Sequence, residues 1–313
     1  MKKTWISAAA LGATAMLVLA GCSSADPEPS PSASAPVSAD QAEANAALEA
    51  VEWSEDADGV PTLTFDVPFE LAIPAARLIA DGDGAALEDG QVITLQYTVT
   101  DGADATVAYS TYDSGTREPV TFNDVELDAA IIGALDGAHV GADFIYGAVG
   151  SADAPGTVLM AVTVASAVTP LAAPSGEAVE PAAGLPVVTL DETGKPSVEI
   201  PATDPPAELQ VQPLIKGTGA EVKKGDVVTV NYTGWTWADG TQFDSSWDRG
   251  APASFQLNDG AVIDGWVEGL VGQTVGSQVL LVIPPEKAYG EDGNETIPGG
   301  STLVFVVDIL AAS

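Results

Sequence analysis

The sequence repeats itself. Shifted by 135 positions, the chain aligns Gly59 and Pro61 with Gly194 and Pro196, Gly82 and Gly84 with Gly217 and Gly219, and Gly90 with Gly225. Tyr97-Thr98 falls on Tyr232-Thr233, Ser110 to Gly115 on Ser245 to Gly250, Asn123-Asp124 on Asn258-Asp259, and Val140-Gly141 on Val275-Gly276. The offset then becomes 145, with Thr157-Val158-Leu159 on Thr302-Leu303-Val304, so the first copy carries a deletion of 145 − 135 = 10 residues. A register held over this distance implies two homologous domains, and whatever fold one adopts the other must share. The expected boundaries are 51–168 and 187–313, joined by a linker at 169–186 rich in Pro, Ala, Gly and Glu.

Each copy reads as β-rich. In the second, Val227 to Thr233 is a strand by its β-branched content and approximate alternation, and Ala238-Asp239-Gly240-Thr241 is the turn that follows. Val279 to Ile283 and Thr302 to Leu310 are further strands. Gly260 to Val271 is the one segment with helical spacing, placing Val262, Ile263, Trp266, Val267 and Leu270 on about one face. A long antiparallel sheet wrapped on one short helix, made twice, is an α+β architecture.

Composition narrows the chemistry. Ten Lys and Arg stand against 45 Asp and Glu, a net charge of −35 that repels phosphates and excludes a nucleic-acid binder. One Cys rules out an internal disulfide framework, and one His rules out a multi-His metal site. No metal or cofactor is expected.

The N-terminus accounts for the Cys. Lys2 and Lys3 precede an uncharged, mostly apolar run from Trp5 to Gly21, short for a membrane span and suited to a secretory leader. It ends in Leu19-Ala20-Gly21-Cys22, which resembles the lipobox of bacterial lipoproteins, where the Cys thiol is lipidated (palmitate being one such acyl group) and the chain is cut before it. The expectation is a signal peptide at 1–21, a membrane anchor on Cys22 at the extracytoplasmic face, and a disordered tether at 22–50, rich in Ser, Ala, Pro, Asp and Glu, at whose end Gln41 to Val51 has the pattern for a turn or two of helix.

The second copy resembles the FKBP-type peptidyl-prolyl cis–trans isomerases. The segments that carry the likeness are Gly217-Thr218-Gly219, Val230 to Gly234, Gly240 to Ser246, Val262-Ile263-Asp264-Gly265-Trp266, Gly269-Leu270, Val275-Gly276, Ile283-Pro284-Pro285, Ala288-Tyr289-Gly290, Ile297-Pro298 and Leu303-Val304-Phe305. Together they are specific; singly each is weak. The resemblance implies a proline ring inserted between helix and sheet. Trp266 would floor that pocket, and Tyr232, Phe243, Phe255, Val262, Ile263 and Phe305 would wall it. The Ile263 N–H and the Tyr289 hydroxyl would donate to substrate carbonyls. Asp244 would sit at the edge, positioned by Arg249, and Ile297 would cap the substrate. Without the resemblance, Trp266, Phe243 and Phe305 read equally as core, and Asp244 with Arg249 as a surface ion pair. Ala253 stands where the family often has a larger aromatic, and Glu291 to Thr296 is unusually acidic.

The first copy lacks this set. At matched positions Phe243 becomes Ala108, Asp244 Tyr109, Arg249 Ser114, Phe255 Val120, Ile263 Asp128, Trp266 Ile131 and Phe305 Met160, while Tyr97 survives. The deletion removes the counterpart of Tyr289. The expectation is one inactive and one active domain, in a surface lipoprotein that isomerises proline-containing polypeptides and assists their folding, and that takes FK506-like macrolides. The rival is a non-catalytic chaperone or polypeptide-binding lipoprotein; a solute-binding lipoprotein is disfavoured because the βαβ alternation of such lobes is missing. The oligomeric state is left open.

Overall fold

The computed structural model describes residues 39–151 and 154–313. The expected signal peptide, Cys22 and the first part of the tether lie outside the described residues. The first half runs α1 (Ala39–Leu48), β1 (Glu52–Glu55), β2 (Pro61–Thr64), β3 (Ala75–Ala80), β4 (Val92–Asp101), β5 (Val107–Ser110), α2 (Thr111–Ser114), β6 (Glu118–Thr121), α3 (Ala129–Ala134), β7 (Asp143–Ser151) and β8 (Ala154–Val168). The second runs β9 (Gly176–Ala178), β10 (Val187–Leu190), β11 (Pro196–Glu199), β12 (Gln210–Gly217), β13 (Val227–Thr236), β14 (Gln242–Ser245), α4 (Ser246–Arg249), β15 (Ala253–Gln256), α5 (Asp264–Leu270), β16 (Gln278–Ile283), a 3-10 turn at Pro285–Lys287 and β17 (Leu303–Ala312). From β1 to β7 every element of the first half has a counterpart in the second that starts 135 residues later.

Both halves are antiparallel sheets. The first has the order β3-β7-β8-β4-β5 with β6 also on β4; the second has β14-β13-β17-β16-β12-β9 with β15 also on β13. The second sheet is covered on both faces. On one, Trp266 and Leu270 of α5 pack with Val228, Val230, Leu281, Ile283, Phe305 and Val307. On the other, Trp235, Trp237, Leu280, Val282, Val304 and Val306 lie under Val188, Val198 and Ile200 of the β10–β11 hairpin. Burial on both sides is why β16 after Gln278, and β17 apart from Asp308, read as apolar runs rather than as alternation.

Two expectations are corrected. Residues 39–48 of the expected tether form α1. Leu48 is fully buried and Ala44 nearly so, packed with Leu71, Ala75, Ile145 and Leu159. One leucine on an alanine helix, close against a sheet that supplies the remaining apolar surface, suffices to order it; composition alone reads such a segment as polar. The first half therefore carries more than one short helix. The expected linker at 169–186 likewise holds β9, which pairs with β12 through Ala178, Glu177 and Gly176 opposite Ile215, Lys216 and Gly217. A Cβ on Gly176 would lie 1.9 Å from the Lys216 carbonyl oxygen, so only glycine lets the backbone approach this closely. The Ser175 N–H donates to Gly276 O and the Val179 N–H to Leu214 O, both at 2.9 Å.

Beginning the C-terminal half at 187 rather than 169 is expected to cost about 2 kcal/mol, the worth of a few strand hydrogen bonds, and to lower its thermal midpoint by several degrees. Circular dichroism melts of the two fragments check this; equal midpoints would mean that β9 contributes nothing.

Candidate active site

The α5 helix is short because the chain before it turns. Gly260 adopts φ +81°, and the Ala261 N–H donates to Asn258 O. Ile263 then caps the helix in extended conformation, its carbonyl accepting from the N–H groups of Trp266 at 2.9 Å and Val267 at 3.4 Å. Its own N–H has no acceptor within the helix, as at any helix start. Trp266, on the first turn, packs against the sheet and is 4% exposed.

Around it three rings stand nearly perpendicular. The Trp266 centroid is 5.2 Å from Tyr232 at 88°, 5.3 Å from Phe255 at 79° and 5.4 Å from Phe305 at 86°. Phe243 stands edge-on to Phe305 at 5.5 Å and 83°. Edge-to-face contacts place positive ring edges on negative faces. They hold the rings apart in fixed orientations, so the space between them stays open. Gly234 of β13 is part of that arrangement: a Cβ there would lie 2.6 Å from the Phe243 ring and 2.7 Å from the Phe305 ring. The cavity that results, about 180 Å³, is lined by Tyr232, Phe243, Asp244, Phe255, Ala261, Val262, Ile263, Trp266, Tyr289 and Phe305.

One polar network borders it. The Tyr232 hydroxyl donates to Asp244 Oδ2 at 2.5 Å, and Arg249 donates to the Tyr232 oxygen at 2.8 Å and to Asp244 Oδ1. The Arg249 guanidinium also lies 5.4 Å from the Tyr232 ring centroid. Partial burial by itself would raise the Asp244 carboxyl; the hydrogen bonds from Tyr232 and Arg249, with the arginine charge, outweigh it and hold the carboxyl below its ordinary value. Burial, then the hydrogen bond to Asp244, pushes the Tyr232 phenol up to about 12, so it stays a donor. Tyr289 is also raised, by burial and then by the Asp244 charge; the residue is 40% exposed, lines the cavity, and keeps its hydroxyl protonated at neutral pH.

Residues named from the sequence divide into three groups. Tyr232, Phe243, Asp244, Phe255, Val262, Ile263, Trp266, Tyr289 and Phe305 are brought together as the lining. Arg249 stands behind it, bound to Asp244 and Tyr232. Ile297 is not among the residues that line the cavity; it is 2% exposed and belongs to the same buried cluster as Trp266, Phe305 and Leu303. Its N–H donates to Asn294 Oδ1, and its carbonyl accepts from the Asn294 N–H. These bonds fold the loop inward. Ala261 was missed; its only signal is its place beside Val262.

At the matched positions of the first half, Tyr109 bonds Ser114 at 3.3 Å and Thr116 at 3.0 Å, a neutral pair where Asp244 meets Arg249. Asp128 is exposed and caps α3 through the Ala130 N–H. Ile131 is buried, with Tyr146 and Met160 packed against its cluster.

Comparison with known proteins points one way. A family model described as FKBP-type peptidyl-prolyl cis-trans isomerase matches residues 219–310. A probable FK506-binding protein of Corynebacterium glutamicum is 44% identical over 118 residues, covering 38% of this chain and 98% of that protein. An FK506-binding protein of Streptomyces anulatus is 42% identical over 119 residues, covering 37% of this chain and 96% of that one. Among solved structures, FkpA from Escherichia coli is 43% identical, covering 40% of this chain and 51% of that one, with a TM-score of 0.32.

Proposed function

Since the chain belongs to the FKBP-type peptidyl-prolyl cis–trans isomerase family, we propose that the cavity floored by Trp266 is where the prolyl bond turns. Rotation about an amide faces a barrier of about 18–20 kcal/mol from C–N double-bond character, and uncatalysed prolyl isomerisation takes tens of seconds or longer. The twisted transition state has lost amide resonance and is less polar than the planar amide. A dry, aromatic-walled cavity stabilises it relative to the ground state. Tyr289 in the lining and the Ile263 N–H donate to carbonyls of the substrate chain and hold it in place. Asp244 and Arg249 keep Tyr232 upright against Trp266. The observation that carries this reading is the perpendicular ring set around Trp266, which leaves the floor open between its walls.

The finer assignments follow from the sequence. The first half is an FKBP-like domain that has lost its pocket. Cys22 carries acyl chains, and the chain works on the outer face of the membrane on secreted polypeptides, where prolyl isomerisation can limit folding. The active half takes FK506-like macrolides in the same cavity. Incorporation of labelled palmitate, lost on Cys22→Ser, tests the anchor.

A protease-coupled assay on a prolyl tetrapeptide tests the site. Tyr289→Phe is expected to lower kcat/KM about threefold to tenfold, as loss of one hydrogen bond does, while leaving the fold intact. The fragment 39–168, which keeps α1, is expected to show no turnover and no calorimetric FK506 binding. Turnover by that fragment, or full activity of Tyr289→Phe, would assign the chemistry elsewhere.

A further inference from the structure

Phe243 lines two spaces, the aromatic cavity and a second cleft of about 500 Å³. That cleft lies between the β13–β14 turn, residues 237–241, and the loop 296–302 that leads into β17. Trp237 and Thr302 join the two walls, through the Trp237 N–H donating to Thr302 O at 2.9 Å. Pro205 contributes to the rim.

Both walls are internally fixed. In the turn, Asp239 Oδ1 accepts from the Thr236 hydroxyl at 2.5 Å and the Thr241 N–H at 3.0 Å. In the loop, Asn294 Oδ1 accepts from the N–H groups of Thr296 and Ile297, and the Ser301 hydroxyl donates to Pro298 O at 2.7 Å. The Gly300 N–H donates to Gly290 O at 2.9 Å, tying this wall to the segment that carries Tyr289. The cleft is therefore built to the same frame as the aromatic cavity and shares a wall with it. Its surface is mostly apolar, from Phe243, Pro298, Ala238 and Trp237, with one carboxylate, Asp239.

We propose that this cleft is a second substrate subsite, seating an apolar side chain of the same polypeptide whose proline occupies the aromatic cavity. The inference rests on the reading of that cavity as the prolyl site. Phe243 belongs to both linings, so a polypeptide whose proline enters the first cavity and whose chain leaves past Phe243 meets this apolar surface next. The subsite distinguishes long substrates from short ones. A tetrapeptide fills the first cavity and leaves the second empty.

The test uses the full chain and two substrates with the same prolyl dipeptide: a tetrapeptide, and a longer peptide carrying Leu or Phe several residues to either side. Ala238→Trp and Thr296→Trp, both at exposed positions on opposite walls, fill the cleft without touching the first cavity. The wild type is expected to favour the longer peptide in kcat/KM by about tenfold, the worth of burying a few methylene groups. Both variants are expected to lose that advantage while turning over the tetrapeptide as the wild type does. No advantage in the wild type, an advantage that survives both substitutions, or an equal fall on both substrates would overturn the subsite. A dimer that the same substitutions dissociate, with peptide preference unchanged, would assign the cleft to a second copy and overturn it as well. Failure of the wild type to turn over the tetrapeptide would instead bring down the prolyl-site reading beneath it.

Discussion

Trp266→Ala is expected to remove about 3–5 kcal/mol of stability from the C-terminal half, as large-to-small changes at buried aromatic positions do. Trp266 is 4% exposed and meets three rings within 5.4 Å, so its loss leaves a void that they cannot fill without leaving their edge-on orientations. Activity is expected to fall further than stability explains. At a temperature where the variant remains folded, kcat/KM on a prolyl tetrapeptide drops at least tenfold, because the floor under the twisted amide is gone. Trp266→Leu separates the two effects. It restores part of the packing but none of the flat surface, so the melting midpoint recovers while the rate does not. A Trp266→Leu enzyme as fast as the wild type would make this residue core and nothing more.

Asp308→Asn is expected to stabilise the protein at neutral pH. Asp308 lies on β17 across from Gln278 of β16 and is 3% exposed; Gln278 Nε2 donates to its Oδ1 at 2.8 Å. Burial raises the carboxyl to about 6, against which the Gln278 hydrogen bond pulls it down. Between its ordinary 3.8 and about 6 the folded chain binds more protons than the unfolded one, so stability falls as pH rises through that window. At pH 7 the ionised carboxylate costs about 3 kcal/mol. The side-chain amide introduced by Asp308→Asn keeps an acceptor oxygen for Gln278 and carries no charge. The midpoint of the C-terminal half should rise by on the order of 10 °C at pH 7, and the gain should vanish near pH 4, where wild-type Asp308 is itself neutral. Melts of the two proteins from pH 4 to 8 check both the size and the pH profile. A gain that is the same at pH 4 and pH 7 would trace to packing rather than to the charge.

Much of this protein was legible in the sequence because the information is local or periodic. The 135-residue register survives in glycines and turn residues, whose backbone requirements do not depend on what packs over them. Each start from β1 to β7 recurs at that spacing. The pocket aromatics were legible for a different reason. Tyr232, Phe243, Trp266 and Phe305 are few in a chain with 6% aromatic residues, and they fall in segments whose pattern a family preserves. Tertiary structure decided what depends on surfaces brought together from afar. Whether the helical tendency of Gln41 to Val51 gives an ordered helix turns on the sheet beneath Leu48, and the helix formed is Ala39–Leu48. Whether residues 176–178 are linker or strand turns on the free edge of β12 and on how closely Gly176 approaches it. Ile297 is buried in the cluster that holds Trp266 and Phe305, in a loop folded by the hydrogen bonds between it and Asn294. Asp308 stands in a strand whose two faces are both covered, so the one charge in an otherwise apolar run is buried. The pattern of a sequence reports each residue's preference for water, and only the packed fold determines whether that preference is met.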